Sequence, residues 1–272
     1  MFIYSFGYII KMFKKIILWC EFPKQVDWKK AENLFKNMPL EIYVAVKSKK
    51  EYFKWKNKTK LELYPWPILP KSQGYWFSGF TSKKSIDKLN EFKGMKMKID
   101  LEPPLPNWEY TTTKLILYGI KKIFQKGKNS DYLEKIINKV ISKEEIIINE
   151  FPFPKWYLKR QGIYLKIKPY LTKNLMCYTS FAGKYWRPFV RFYLKIFIKK
   201  AIKKNPNIMF SVGLIGAGIL KNEKIYSSPK ELKQDLEMIH KSGAKIIAIY
   251  SLEAILKRSS PEEWIKNIKD YI

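Results

Sequence analysis

The chain predicts a single (β/α)8 TIM barrel. Three observations lead there. Short β-rich runs alternate with amphipathic helical runs through eight cycles, the pattern of parallel strands joined by helical crossovers. The 272 residues suit one undivided barrel of about 250 residues. The second, third and fourth strands each set a polar or charged face against an apolar one, and three neighbours cannot all be edge strands.

The first strand is expected over Lys15–Glu21, with Asp27 capping the helix that follows. The second covers Glu41–Lys47, ahead of a short helix through Tyr52 and Trp55. The third, Leu61–Trp66, ends in prolines, and a helix over Ser82–Phe92 leads to the fourth, Met95–Glu102, stopped by Pro103 and Pro104. Helices over Thr112–Gln125 and Asp131–Ser142 precede the fifth strand, Glu145–Glu150. The sixth strand is Asn174–Ser180, followed by a long helix over Trp186–Lys204. Phe189, Phe192, Ile196 and Ile198 suit packing of that helix on the barrel, leaving a basic outer face. The seventh strand is Ile208–Gly213 and the eighth Lys245–Ser251, separated by a helix over Ser228–Lys241. The last helix starts at Ser260-Pro261-Glu262-Glu263, with proline in the first turn and acids beside it. A doubly wound sheet would show a glycine-rich turn after its first strand. Here Glu21-Phe22-Pro23-Lys24-Gln25 follows instead.

On strand four, Met95, Met97, Ile99 and Leu101 oppose Lys96, Lys98, Asp100 and Glu102. In a barrel the apolar set packs on the helices and the charged set points inward. Buried charges need partners, so an internal ion-pair network is expected among Glu41, Glu62, Lys96 and Lys98.

The formal net charge is +29, which raises the question of a polyanion. Arginine, the preferred residue for bidentate phosphate and base contacts, occurs only at Arg160, Arg187, Arg191 and Arg258. The lysines are spread along the chain, as in a thermophile-like composition, so no specific nucleic-acid partner is expected. Acidic polysaccharides and anionic membrane surfaces stay open as alternatives. Cys20 and Cys177 fall on distant strands and suit a reducing, cytoplasmic interior without a disulfide. His240 is the sole histidine and lies in a helical stretch, which excludes a histidine-rich metal site and argues against a Ser-His-Asp triad. The apolar run before Lys11 is too short to span a bilayer, and no transmembrane segment is expected. Met12 is a second candidate start, which would make residues 1–11 a disordered or artefactual extension and 12–272 the barrel.

Barrel sites lie at the C-terminal ends of the strands. Those ends carry Glu21, Tyr64, Trp66, Asp100, Glu102, Glu150, Tyr178, Ser180 and Tyr250. Carboxylic acids of raised pKa protonate glycosidic oxygens, and aromatic rings stack on sugar faces. A carbohydrate or other small-molecule ligand is therefore expected. Asp100-Leu101-Glu102 and Leu175-Met176-Cys177-Tyr178 resemble the Asp-x-Glu and Met-x-Tyr-Asp motifs of chitinase-like, family 18 glycoside hydrolases, and Ser78-Gly79-Phe80 resembles that family's Ser-x-Gly-Gly strand. The resemblance implies Glu102 as general acid, Asp100 as the residue orienting a nucleophilic acetamido group, and Tyr178 as helper. Lys96 and Lys98 stand where the family has further aspartates, and Thr179 follows Tyr178 in place of its Asp. Two other readings stay open. Gly213, Gly216 and Gly218 after strand seven could bind the phosphate of a phosphosugar in an isomerase or lyase. The barrel could also bind a sugar or polyanion without turnover. No cofactor is required; Asp100, Glu102 and Glu150 could hold Mg²⁺.

Overall fold

The computed structural model describes residues 13–106, 114, 118, 121, 122, 124–166 and 168–272. The expected extension over 1–11 and most of the expected helix over 112–125 lie outside these residues. The strands are β1 (Lys15–Cys20), β2 (Leu40–Val46), β3 (Leu63–Pro67), β4 (Met97–Asp100), β5 (Ile146–Glu150), β6 (Leu171–Met176), β7 (Met209–Val212) and β8 (Ile246–Tyr250). Among the described residues the helices are α1 (Trp28–Leu34), α2 (Lys49–Lys56), α3 (Lys83–Ile86), α4 (Ser130–Val140), α5 (Lys155–Gln161), α6 (Gly183–Lys204), α7 (Pro229–Lys241), α8 (Leu252–Leu256) and α9 (Pro261–Lys269). Asp27 caps α1 as expected, accepting the Lys30 N–H at 3.0 Å.

All ladders are parallel, in the order β3-β2-β1-β8-β7-β6-β5-β4. β1 pairs with both β2 and β8, and the two end strands β3 and β4 come together, which wraps the sheet into a (β/α)8 barrel rather than an open doubly wound sheet. The ring is nearly closed. β3 and β4 lie side by side without a ladder. Phe77, beyond the end of β3, bridges to Leu101 at the top of this seam. Its N–H donates to the Asp100 carbonyl at 3.1 Å, and the Glu102 N–H donates to its carbonyl at 3.2 Å.

The period-2 rule sorts the side chains. Ile16, Leu18, Ile42, Val44, Met97 and Ile99 join the core between strands and helices. Ile17, Trp19, Tyr43, Trp66, Ile147, Met209 and Ala248 fill the barrel itself. Trp19, Tyr43 and Trp66 are buried, and each such side chain contributes about 1.5–3 kcal/mol. Below this plug, Lys15 bridges Glu41 (3.0 Å) and Glu145 (2.7 Å), and Lys96 also pairs with Glu41. Burial opposes the Lys15 charge, yet Glu145 and Glu41 outweigh it and raise its pKa. The expected internal network is thus real but differently composed. Glu62 accepts the Tyr64 hydroxyl, and Lys98 sits one layer higher with Asp100.

Two further expectations are corrected. β6 starts at Leu171, not Asn174, and the chain from Thr179 to Ala182 is a 3-10 turn. Polar Lys173 and Asn174 are tolerated within the strand because each has a partner: Lys173 pairs outward with Glu150, and Asn174 donates inward to Asn149 and Ser211. On α6, Ile198 packs on the barrel, but Phe189, Phe192 and Ile196 face solvent. Cys20 and Cys177 are free and buried. His240 packs its ring edge-on to Phe13 and Tyr271, at 5.4 and 5.5 Å. No described helix is long and apolar enough to cross a membrane.

Candidate active site

A cavity of about 320 Å³ opens at the C-terminal ends of the strands. Lys98, Asp100 and Glu102 alternate onto the inner face of β4 and its extension, and all three line it. The ladder with β5 ends at Asp100, but the Phe77 bridge holds the strand extended through Glu102.

Lys98 is 1% exposed. Its ammonium spans both Asp100 oxygens, at 2.9 and 3.0 Å, and lies over the rings of Trp66 (3.0 Å to the centroid) and Trp19 (4.6 Å). Burial lowers the Lys98 pKa and raises that of Asp100, and their mutual attraction opposes both shifts. Burial also pushes Glu102 well above the usual carboxylate range. The charges of Asp100, Glu21 and Glu223 add to that push, and Lys98 only partly offsets it. The Glu102 carboxyl therefore favours its protonated form more than a free glutamate does.

Glu21 enters from the end of β1. Its oxygens accept the Tyr75 hydroxyl at 2.9 Å and the Tyr250 hydroxyl. Burial raises its pKa to about 7 in spite of these bonds, which favour the charged form. Glu253 stands behind it, its carboxylate accepting the N–H groups of Glu21 and Phe22 at 3.2 and 3.3 Å. Glu223 hangs over the mouth from the loop after β7 and accepts the Gly218 N–H at 2.6 Å. Burial raises its pKa as well. Trp76, Phe151, Phe153, Tyr157 and Phe181 supply aromatic walls, while the buried Trp66 lies at the floor beneath Lys98.

Of the residues expected at the mouth, Glu21, Trp66, Asp100, Glu102, Tyr178 and Tyr250 line this one cavity. Three do not. Glu150 points outward, because inward Ile147 and Asn149 fix the parity of β5, and it pairs with Lys173 at 2.7 Å. Tyr64 lies a layer too low, stacked on Tyr43 at 5.2 Å between ring centroids with Lys96 over its face. Ser180 is buried beneath the floor, where its hydroxyl accepts the Leu214 N–H at 2.9 Å. With Glu150 on the far face, the Asp100–Glu102–Glu150 set envisaged for Mg²⁺ does not converge. Among the described residues no group of three or more His, Cys, Asp or Glu is arranged to hold a metal.

Gly218 lines the cavity, and Gly213 and Gly216 do not. A Cβ on Gly218 would meet the Tyr250 hydroxyl and lie 3.0 Å from carboxylate oxygens of Glu21 and Glu223. The glycine is thus required by close packing of the site. Gly79, the centre of the Ser78-Gly79-Phe80 segment, packs against Gly127 and Gly162, where a Cβ would lie 2.9 Å from the Gly127 Cα.

Tyr75, Trp76, Asn149 and Glu223 also line or brace the site and were not singled out from sequence. Tyr75, Trp76 and Glu223 sit in the loops after β3 and β7. The signal available for them was the length of those loops at the functional end of the barrel.

Comparison with protein families gave no match, and neither did comparison with curated proteins. Among solved structures, the chain is similar to the PgaB glycoside hydrolase domain from Bordetella bronchiseptica, with a TM-score of 0.58 and 11% identity over 93% of this chain and 98% of that one. It also aligns with dihydropteroate synthase from Yersinia pestis, with a TM-score of 0.45 and 10% identity over 94% of this chain and 90% of that one. The likeness to the first is one of fold.

Proposed function

We propose that this barrel acts on a carbohydrate as a glycoside hydrolase, with Glu102 as general acid. The observation that carries the reading is the inequality of two neighbouring carboxyls. Lys98 holds an ammonium against both Asp100 oxygens, whereas burial and three carboxylates push Glu102 toward its protonated form. Environments that separate the protonation of paired acids are how glycosidases assign an acid and its partner. The Glu102 proton goes to the leaving-group oxygen. Asp100, held by Lys98, is placed to orient a substituent such as an acetamido group, and Tyr178 borders the same space, in keeping with the motif resemblance. The aromatic walls offer stacking faces for sugar rings, and a solved structure of the same fold is a glycoside hydrolase domain.

A phosphate at the loop after β7 is the weaker reading. Its amides are engaged internally: Leu214 with Ser180, Ile215 with the Tyr250 carbonyl, and Gly218 with Glu223. On the cavity side of Gly218, carboxylate oxygens of Glu21 and Glu223 lie 3.0 Å from where a Cβ would stand and disfavour an anion there.

The test is a panel of oligosaccharides, including N-acetylated ones, offered to wild type and Glu102→Gln. The expected result is wild-type turnover that falls by about 10²–10⁴-fold in the variant, with glycan binding and thermal stability retained. Glycan binding without turnover by the wild type would make this a binding module. Turnover that survives in Glu102→Gln would remove Glu102 from the role.

A further inference from the structure

The helix α6, Gly183–Lys204, is about 33 Å long. Its inward side is fixed. Leu194 and Ile198 are buried, while Arg187 and Arg191 pair with Glu231 and Asp235 of α7, each at 2.5 Å. Its outward side is unusual for a barrel helix. Tyr185, Phe189, Phe192 and Ile196 form a stripe at helical spacing, flanked by Trp186 and Tyr193. These six side chains are between 43% and 88% exposed. Further along the same stripe come Lys199, Lys200 and Lys203, all exposed, with Lys195 beside them. The helix contains no acidic residue.

We propose that this outward face of α6 seats on an anionic lipid surface. Aromatic rings settle at headgroup level with their apolar bodies in the acyl boundary, and lysines reach the lipid phosphates. The stripe supplies both on one rigid line, aromatic over its first turns and basic over its last. Charge complementarity selects this occupant. A second copy of the chain would bring a helix of the same sign with no acid to pair, at a cost in repulsion. A glycan would find phenylalanine and isoleucine at the centre of the stripe, where hydrogen-bonding edges are needed. A nucleic acid would be met without arginine, since both arginines of the helix face inward. The seating is independent of the reaction carried out in the barrel.

The experiment is flotation of the full chain with vesicles of phosphatidylcholine alone and of phosphatidylcholine mixed with phosphatidylglycerol. The expected result is binding to the mixed vesicles only, weakened by salt. Lys199→Ala/Lys203→Ala should bind about thirty-fold more weakly, from the contribution of two lysines near an anionic surface. Phe189→Ser/Phe192→Ser should bind more than about tenfold more weakly, from lost apolar burial. Both pairs are exposed, so thermal midpoints should barely move, and each double variant checks the other against misfolding. Failure of the wild type to float with the mixed vesicles would overturn the proposal, as would flotation unchanged in both double variants. A dimer that dissociates in Phe189→Ser/Phe192→Ser without any flotation would assign the face to a second copy instead.

Discussion

Glu21→Gln is a sharp probe of the site because the substitution keeps shape while removing a titration. Gln retains an acceptor for the Tyr75 hydroxyl and places an amide where Tyr250 now donates. In the folded protein burial raises Glu21 from 4.5 to about 7, against the hydrogen bonds of Tyr250 and Tyr75. Below about pH 4.5 both folded and unfolded chains carry the proton, and Glu21 adds no pH dependence. Between pH 4.5 and 7 the unfolded chain releases the proton and the folded chain keeps it. Stability therefore falls as pH rises through that window and levels off above it. At about 1.4 kcal/mol per pKa unit, the fall is ~3 kcal/mol. Urea unfolding of wild type and variant, followed by tryptophan fluorescence from pH 4.5 to 8, isolates the difference. Asp100, Glu102, Glu223 and Glu253 titrate in both proteins and largely cancel. The variant should gain ~3 kcal/mol relative to wild type across the window. A stability difference that stays constant with pH would refute the burial argument for Glu21.

Two other substitutions test the placement of charges. Lys98→Met should destabilise by about 3–5 kcal/mol in urea unfolding at neutral pH, because it strands Asp100. Lys98→Met/Asp100→Asn should recover most of that loss, and a double variant as unstable as the single one would deny the pair its role. Glu150→Gln should cost about 2 kcal/mol by leaving Lys173 poorly matched, while ligand binding in the barrel stays at the wild-type level. A loss of binding without a loss of stability would return Glu150 to the site.

Legibility in the sequence followed the sharpness of the period-2 pattern. On β4 the alternation of Met97 and Ile99 with Lys98 and Asp100 named the inner face, and with it Asp100 and Glu102. On β5 the run Ile146-Ile147-Ile148 is buried on both faces, so nothing marked parity, and Glu150 was assigned to the wrong side. Tyr64 failed for a different reason: its face was right and its height was wrong, since β3 runs on to Pro67. Tyr75 and Glu223 lie in loops, where no periodicity operates, and only the folded chain brings them to Glu21 and Gly218. The helix α6 shows the same limit. Its sequence offered apolar residues on more than one side, and the choice was made by Glu231 and Asp235 on α7, which draw the arginines inward and turn the aromatics out.

The unladdered seam between β3 and β4 bears on how the barrel yields under load. A cylinder zipped on every side resists widening equally around its rim. Here one zipper is missing, and the two lips are joined at the rim through Phe77. Radial strain from a bulky occupant falls first on the two hydrogen bonds made by Phe77 and on the bond from the Leu105 N–H to the Gly74 carbonyl, since every other strand boundary has a ladder to share it. One lip carries Asp100 and Glu102, and the other leads to Tyr75 and, through it, Glu21. Widening at that line moves Glu102 away from Glu21 while leaving Asp100 with Lys98 and Glu21 with Tyr75 and Tyr250. Spacing between the acids is thereby softer than the geometry around either one.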